Sequence, residues 1–299
     1  MKPALIIGST CVDVIINLDH LPKTEEDLHP SSQSMAIGGC AYNTAYIVRL
    51  LGAPHTLISP VGGGMYGDYV AKHMTEAGIP IAVRVPKKEN GCCYCLVEAT
   101  GERTFLSYHG VEYTFEKEWM TPYSSADFGL TYICGLEIEE PTGINIIEYL
   151  EEHPDLQVFY APGPRVLSVG EEKNRRILAL HPILHINEQE ALALSGKASV
   201  EEAATRLHDI TGNIVIITLG ARGTYCIDKS GETFFAPSVP AEHVVDTIGA
   251  GDSHAGAVIA CLTMDMPLFD AVSYANLVAA AVVGVKGIYI SKEQLPERR

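Results

Sequence analysis

The sequence predicts an α/β fold: a mainly parallel central sheet with helices on both faces and a small second sheet attached. The first observation is rhythm. Short apolar runs alternate with longer amphipathic segments, the pattern of strands joined through crossover helices. The second is that two stretches, about 12–39 and 91–111, leave this rhythm and read as strands with turns. The third is size. A chain of 299 residues with 47% apolar and 19% charged side chains can bury a large core unaided, and no internal repeat demands a second domain. One domain over 1–299 is expected.

In chain order, ALIIG (4–8) reads as a strand and Cys40–Leu51 as a helix with Ala41, Ala45, Val48 and Leu51 near one face. HTLISPVG (55–62) reads as one strand, and Asp68–Ala77 as a helix stopped by Gly78. In CCYCLVEATGERTFLSYHG the Thr100-Gly101 pair lies between two β-rich arms, so a hairpin is expected. Next come a strand at 130–135, a helix at 144–152, a strand at 156–162 and a helix at 171–180. Strands at 183–187 and 213–220 follow, with helices at 188–195 and 200–210 between them. Two helices, about 250–263 and 268–284, close the pattern.

A net charge of −16 argues against a nucleic-acid partner, whose footprint is basic, yet allows a nucleotide held by local donors and a metal. No apolar run reaches the roughly 18 residues of a membrane span. The five apolar residues before Gly8 are too few for a signal-peptide core, so a cytoplasmic protein is expected. The eight cysteines then read as reduced thiols. Cys92, Cys93 and Cys95 cluster in GCCYC, but the spacing is not C-x-x-C and no second pair follows. Small buried strand side chains are the expected reading.

DTIGAGDSHAG (246–256) is glycine-rich but fits neither common phosphate fingerprint. The dinucleotide pattern needs a glycine where His254 stands, and a P-loop needs a Gly-Lys-Ser/Thr that is absent. Gly249, Ala250 and Gly251 are nevertheless small residues before an apolar helix, where backbone N–H groups can approach an anion closely. Asp252 cannot usefully bind phosphate there. It can accept a proton from an attacking hydroxyl or cap the helix, and this segment alone leaves both open.

DTIGAGD resembles the C-terminal signature of the ribokinase-like, or PfkB, carbohydrate kinases, and IGGCAYNTAYIVRLLGA (37–53) their N-terminal one. VGGGMYGDYVAKHMTEAGI (61–79) is similar to their G-x-D-x-x-G segment, with the aspartate displaced to leave Gly67-Asp68. INEQEALALSG (186–196) is similar to N-x-x-E and TLGARGTYC (218–226) to T-x-G-x-x-G. All five occur in family order, and the match runs from residue 4 to about 291. The resemblance implies a ribokinase-like three-layer αβα sandwich whose small sheet is a lid, and an ATP-dependent kinase.

It further implies that Asp252 is the catalytic base toward ATP, with the N–H groups of Gly249, Ala250 and Gly251 as an anion hole. Asn187 and Glu190 would sit beside the triphosphate, Glu190 holding Mg2+ through water; read structurally, they are an N-cap and a first-turn acid. Thr218, Gly220, Gly223 and Asn276 would line the nucleotide site. A K+ ion would take Asp246, Ile248, Val282, Val285, Gly287 and Ser291. Asp13, Gly39, Asn43 and Glu137 match positions that hold acceptor hydroxyls.

Cys11 stands where ribokinase has asparagine, against ribose, and Cys40 where phosphosugar kinases carry lysine, against a phosphorylated acceptor. Arg103 and Arg165 are candidates for an anionic group, and Tyr108 and His109 for a reach from the lid. The expected reaction is phosphorylation of a hydroxymethyl group of a small unphosphorylated sugar. The alternatives are a nucleoside acceptor or a silent sugar sensor on the same fold. A homodimer formed through the lid is expected, with no membrane contact.

Overall fold

The alternating runs assemble into one eight-stranded sheet in the computed structural model, which describes residues 2–241 and 243–298. The strands begin with β1 (Ala4–Ile7), β2 (Cys11–Asn17), β3 (Ser32–Gly38), β4 (His55–Ile58), β5 (Pro60–Gly63), β6 (Val83–Glu89) and β7 (Cys92–Val97). There follow β8 (Arg103–Tyr108), β9 (Leu130–Cys134), β10 (Gln157–Ala161), β11 (Ile183–Asn187), β12 (Val215–Thr218), β13 (Gly223–Ile227) and β14 (Thr233–Pro237). The main sheet runs β14-β13-β12-β11-β10-β9-β1-β4. It is parallel from β4 to β12 and antiparallel at the β12–β13–β14 edge.

Strand β1 explains the layering. Ala4 and Ile6 pack into one apolar layer, Leu5 and Ile7 into the other, and all four are fully buried. Helices Cys40–Leu50, Ala250–Thr263 and Leu268–Val282 contribute to the first layer. Helices Gly143–Glu152, Glu171–Leu178, Glu188–Ser195 and Val200–Thr211 contribute to the second. No helix among the described residues is long and apolar enough to cross a membrane.

The second sheet has the order β3-β2-β7-β8 and is built from the two stretches that broke the rhythm. The β7–β8 hairpin turns at Gly101, whose φ of 87° needs glycine. Two expectations are corrected. HTLISPVG is two strands in different sheets, because Pro60 lacks an N–H to continue the first ladder. The next helix starts at Gly64 rather than Asp68, from a left-handed glycine. The exposed, Lys-rich β6 and the β13–β14 hairpin are strands despite weak apolar patterns that do not announce them.

Two helices of the first layer approach closely at one glycine. A Cβ at Gly256 would lie 2.7 Å from Thr44 O, so this glycine lets helix Ala250–Thr263 press against helix Cys40–Leu50. The carboxyl ends of β1, β9, β11 and β12 open on the same side, where α/β sheets place ligands.

Candidate active site

Helix Ala250–Thr263 begins at Gly249, with φ 70°. A Cβ there would lie 2.2 Å from Ile288 Cγ2, so only glycine fits. Helix Cys40–Leu50 begins after Gly39, with φ 100°, where a Cβ would lie 2.6 Å from Ser9 O. These two entries and the Gly256 contact place Asn43 against Asp252. Asn43 Nδ2 donates to Asp252 Oδ2 at 2.8 Å, and Thr44 Oγ1 to Asp252 O at 3.4 Å. The N-cap position belongs to Gly249, and Asp252 stands three residues further on in the first turn, so it does not cap this helix. Burial raises its pKa above the usual carboxylate range, against hydrogen bonds from Asn43 and Cys40.

Three further carboxyls surround this one. Asp13 projects from β2 into space left by Gly38, where a Cβ would be 2.3 Å from Asp13 Oδ2. Burial first, and the Asp252 charge second, raise Asp13 from 3.8 to about 6. Glu137 is fully buried; Oε1 accepts from Ser9 N at 2.8 Å, and Oε2 has no protein partner. Burial raises Glu137 and Glu190 as well, and the Asp252 charge adds to both. The site is thus rich in hard oxygen donors and short of positive charge, a chemistry that fits Mg2+.

Asp13→Asn is therefore expected to stabilise the ligand-free protein. A folded pKa above the unfolded one gives stability present below pH 3.8 and lost as pH rises through about 6. Removing the carboxyl should gain on the order of 3 kcal/mol well above pH 6 and well under about 1 kcal/mol near pH 4. Thermal denaturation of both proteins across that range is the check; a gain independent of pH would contradict it.

Two cavities flank the turn at 246–251. One of about 270 Å³ is lined by Asp13, Gly38, Asn43, Asp246, Ile248 and Tyr289. The other, about 330 Å³, is lined by Thr218, Gly220, Gly223, Ala250, Gly251 and Asn276. The expected nucleotide residues Thr218, Gly220, Gly223 and Asn276 thus come together. Gly39 and Glu137 are not part of the first cavity's lining; they shape the turn beneath it. Gly38 and Tyr289, whose hydroxyl donates to Ile37 O at 2.7 Å, were missed in the sequence. The Gly-Gly pair was the available signal for the first, and nothing local marked the second.

Asn276 is spent on structure. Its Nδ2 donates to Ala236 O at 3.0 Å, and its Oδ1 accepts from Thr224 Oγ1 at 2.7 Å and lies 3.2 Å from His254 Nε2. His254 Nδ1 in turn meets His185 Nε2 at 2.9 Å. Burial pushes His254 down to about 4 and His185 further below its ordinary value, so both rings are neutral at physiological pH. Asn187 and Glu190 form a complete capping box, with bonds of 2.9 and 3.1 Å. The structural reading of that pair is present; Glu190 keeps its second oxygen for a further role.

The K+ residues fit poorly. Asp246 is 8% exposed, and Arg103 Nη1 from β8 donates to its Oδ1 at 2.6 Å. Oδ1 also accepts from Ile248 N at 2.8 Å, and Oδ2 from Gly287 N at 3.2 Å. Burial of Asp246 is outweighed by these bonds, which hold its pKa below the ordinary value. A guanidinium already supplies the cation here. Val282 O accepts from Val285 N, and Ser291 caps the final turn. Arg103→Gln should cost about 2 kcal/mol and make thermal stability respond to K+, whereas the parent should not respond. K+ raising the melting temperature of the parent equally would contradict this.

The other lid and surface candidates point elsewhere. Arg165 pairs with Glu139 at 3.2 Å, and His109 Nδ1 meets Glu140 Oε1 at 2.6 Å while stacking on Tyr113. Tyr108 is 69% exposed.

A model of the pfkB family of carbohydrate kinases matches residues 1–295. An uncharacterized sugar kinase of Escherichia coli is 34% identical over 293 residues, spanning 96% of this chain and 90% of that protein. A Thermotoga maritima ribokinase structure superposes with a TM-score of 0.84 at 23% identity, over 100% of this chain and 97% of that one. A Burkholderia thailandensis nucleoside kinase in complex with inosine gives 0.78 at 20% identity, over 99% and 93%.

Proposed function

Because the chain belongs to the pfkB family of carbohydrate kinases, we propose that it transfers the γ-phosphoryl group of ATP to a hydroxymethyl group of a small unphosphorylated sugar. The observation that supports this reading best is the placement of one turn between two cavities. Ala250 and Gly251 line the nucleotide side, Ile248 and Asn43 line the acceptor side, and Asn43 holds the Asp252 carboxylate.

In the proposed reaction Asp252 takes the hydroxyl proton as the acceptor oxygen bonds to phosphorus and the bond to the leaving ADP breaks. Its raised pKa makes it a stronger base than a free aspartate. Asn43 fixes the carboxylate's direction and Asp13 orients acceptor hydroxyls, with Glu137 acting through the Ser9 backbone that its Oε1 holds. The N–H groups of Gly249, Gly251 and Asp252 face the developing charge, joined by that of Ala250, whose contact to Thr247 O is a long 3.3 Å. Thr218, Gly220 and Gly223 hold the nucleotide, and Asn187 sits with Glu190 beside its phosphates. Glu190 would hold Mg2+ through water, and the ion would offset the charge of phosphates and carboxyls.

A nucleoside acceptor is the second reading. The apolar side of the acceptor cavity, with Met35, Ile248 and Tyr289, suits a base, and the inosine-bound relative shares the fold. ADP release from a panel of sugars and nucleosides separates the two. Turnover with a nucleoside and no sugar sinks the first; turnover with neither sinks both and leaves the sensor reading. We further propose a homodimer through the lid, whose edge strands expose Met35, Phe105 and Leu106. A monomer by light scattering at micromolar concentration would contradict that.

A further inference from the structure

We propose that Asp13, Cys93 and Cys95 bind a thiophilic divalent cation of the zinc class in the wall of the acceptor cavity. The cysteine cluster read from the sequence as buried strand side chains divides by face. Strand alternation turns Cys92 into the core, where it is 3% exposed, and sets Cys93 and Cys95 together on the opposite face. Strand β2 runs parallel beside β7 with Asp13 in register with Cys93, so a carboxylate joins the two thiols. The three ligand atoms all lie within 4.8 Å of one another, the one such group among the described residues.

The spacing suits the metal. Two thiolates about 2.3 Å from a tetrahedral zinc are about 3.8 Å apart; Cys93 Sγ and Cys95 Sγ are 3.9 Å apart. Ser107, opposite Cys93 on β8, donates its hydroxyl to Cys93 Sγ at 3.3 Å, an outer contact of the kind that supports a ligating thiolate. Binding would take both cysteines as thiolates and release their protons. Three protein donors leave a fourth position toward the cavity that Asp13 and Cys95 line. On the proposed kinase reading, a cation that occupies Asp13 competes with the acceptor.

Cadmium titration of the metal-free protein, followed by the ultraviolet thiolate-to-metal charge-transfer band, tests the site without needing turnover. One equivalent should saturate the band. Cys93→Ser and Cys95→Ser should each lose most of it with unchanged circular dichroism, and Asp13→Asn should weaken affinity about tenfold or more. Cys226→Ser, at a buried cysteine in β13, should keep the band. No band in the parent, or an undiminished band in both serine variants, overturns the site whatever the enzyme's activity. In turnover assays Zn2+ should raise the acceptor KM of the parent but not of Cys93→Ser; equal inhibition of both overturns the competition.

Discussion

Asp252→Asn should keep the fold and ATP binding while lowering turnover by about 10²- to 10⁴-fold, the usual contribution of a positioned general base. The substitution preserves shape, and the new carbonyl oxygen can still accept the 2.8 Å bond from Asn43. What it removes is proton-accepting capacity at one atom. It also removes a charge that raises Asp13, Glu137 and Glu190, so stability near neutral pH should not fall. ADP release at saturating acceptor, together with calorimetric ATP binding, separates the cases. Unchanged turnover would remove Asp252 as the base. Loss of ATP binding would mean that the carboxylate shapes the nucleotide site instead. Parent activity should also decline as pH falls through the raised Asp252 pKa, because a protonated carboxyl cannot accept the proton.

The layers were legible because parallel strands buried on both faces leave unbroken apolar runs, as at Ala4–Ile7 and Ile183–Asn187. Helix ends were legible where chemistry marks them. Gly78, expected to stop a helix, follows its end in the left-handed region, with φ 64°. The break at Pro60 was written in the sequence, since a proline inside a strand run ends a ladder, but the apolar residues on either side of Ser59-Pro60 read as one strand. In the site, motif order located Asp252, Thr218 and Gly251, but not their partners. Arg103 meets Asp246 across 143 residues, and no local pattern announces such a pair. Likewise the His185–His254–Asn276 chain joins three elements that read separately as strand, helix and helix. A sequence motif nominates residues for a site. Which polar groups are already satisfied depends on packing.

The two glycines of the GAG triplet look equivalent in sequence, and the structure separates them. Gly249 is required by the fold: its φ is 70° and a Cβ would strike Ile288. Gly251 is not. Its φ lies outside the left-handed region, and a Cβ there would meet nothing within 4 Å. In the first turn of a helix alanine should serve stability better, by up to about 1 kcal/mol. The remaining reason for glycine is room on the nucleotide side, where the residue lines the cavity of about 330 Å³. Gly251→Ala should therefore raise or maintain the melting temperature and lower kcat by about 10²-fold, the scale of a displacement of about 1 Å between reacting groups. Gly249→Ala should lose activity and stability together. A fully active Gly251→Ala enzyme would mean that the transferring phosphoryl group does not approach this turn, and would remove the anion hole from the mechanism.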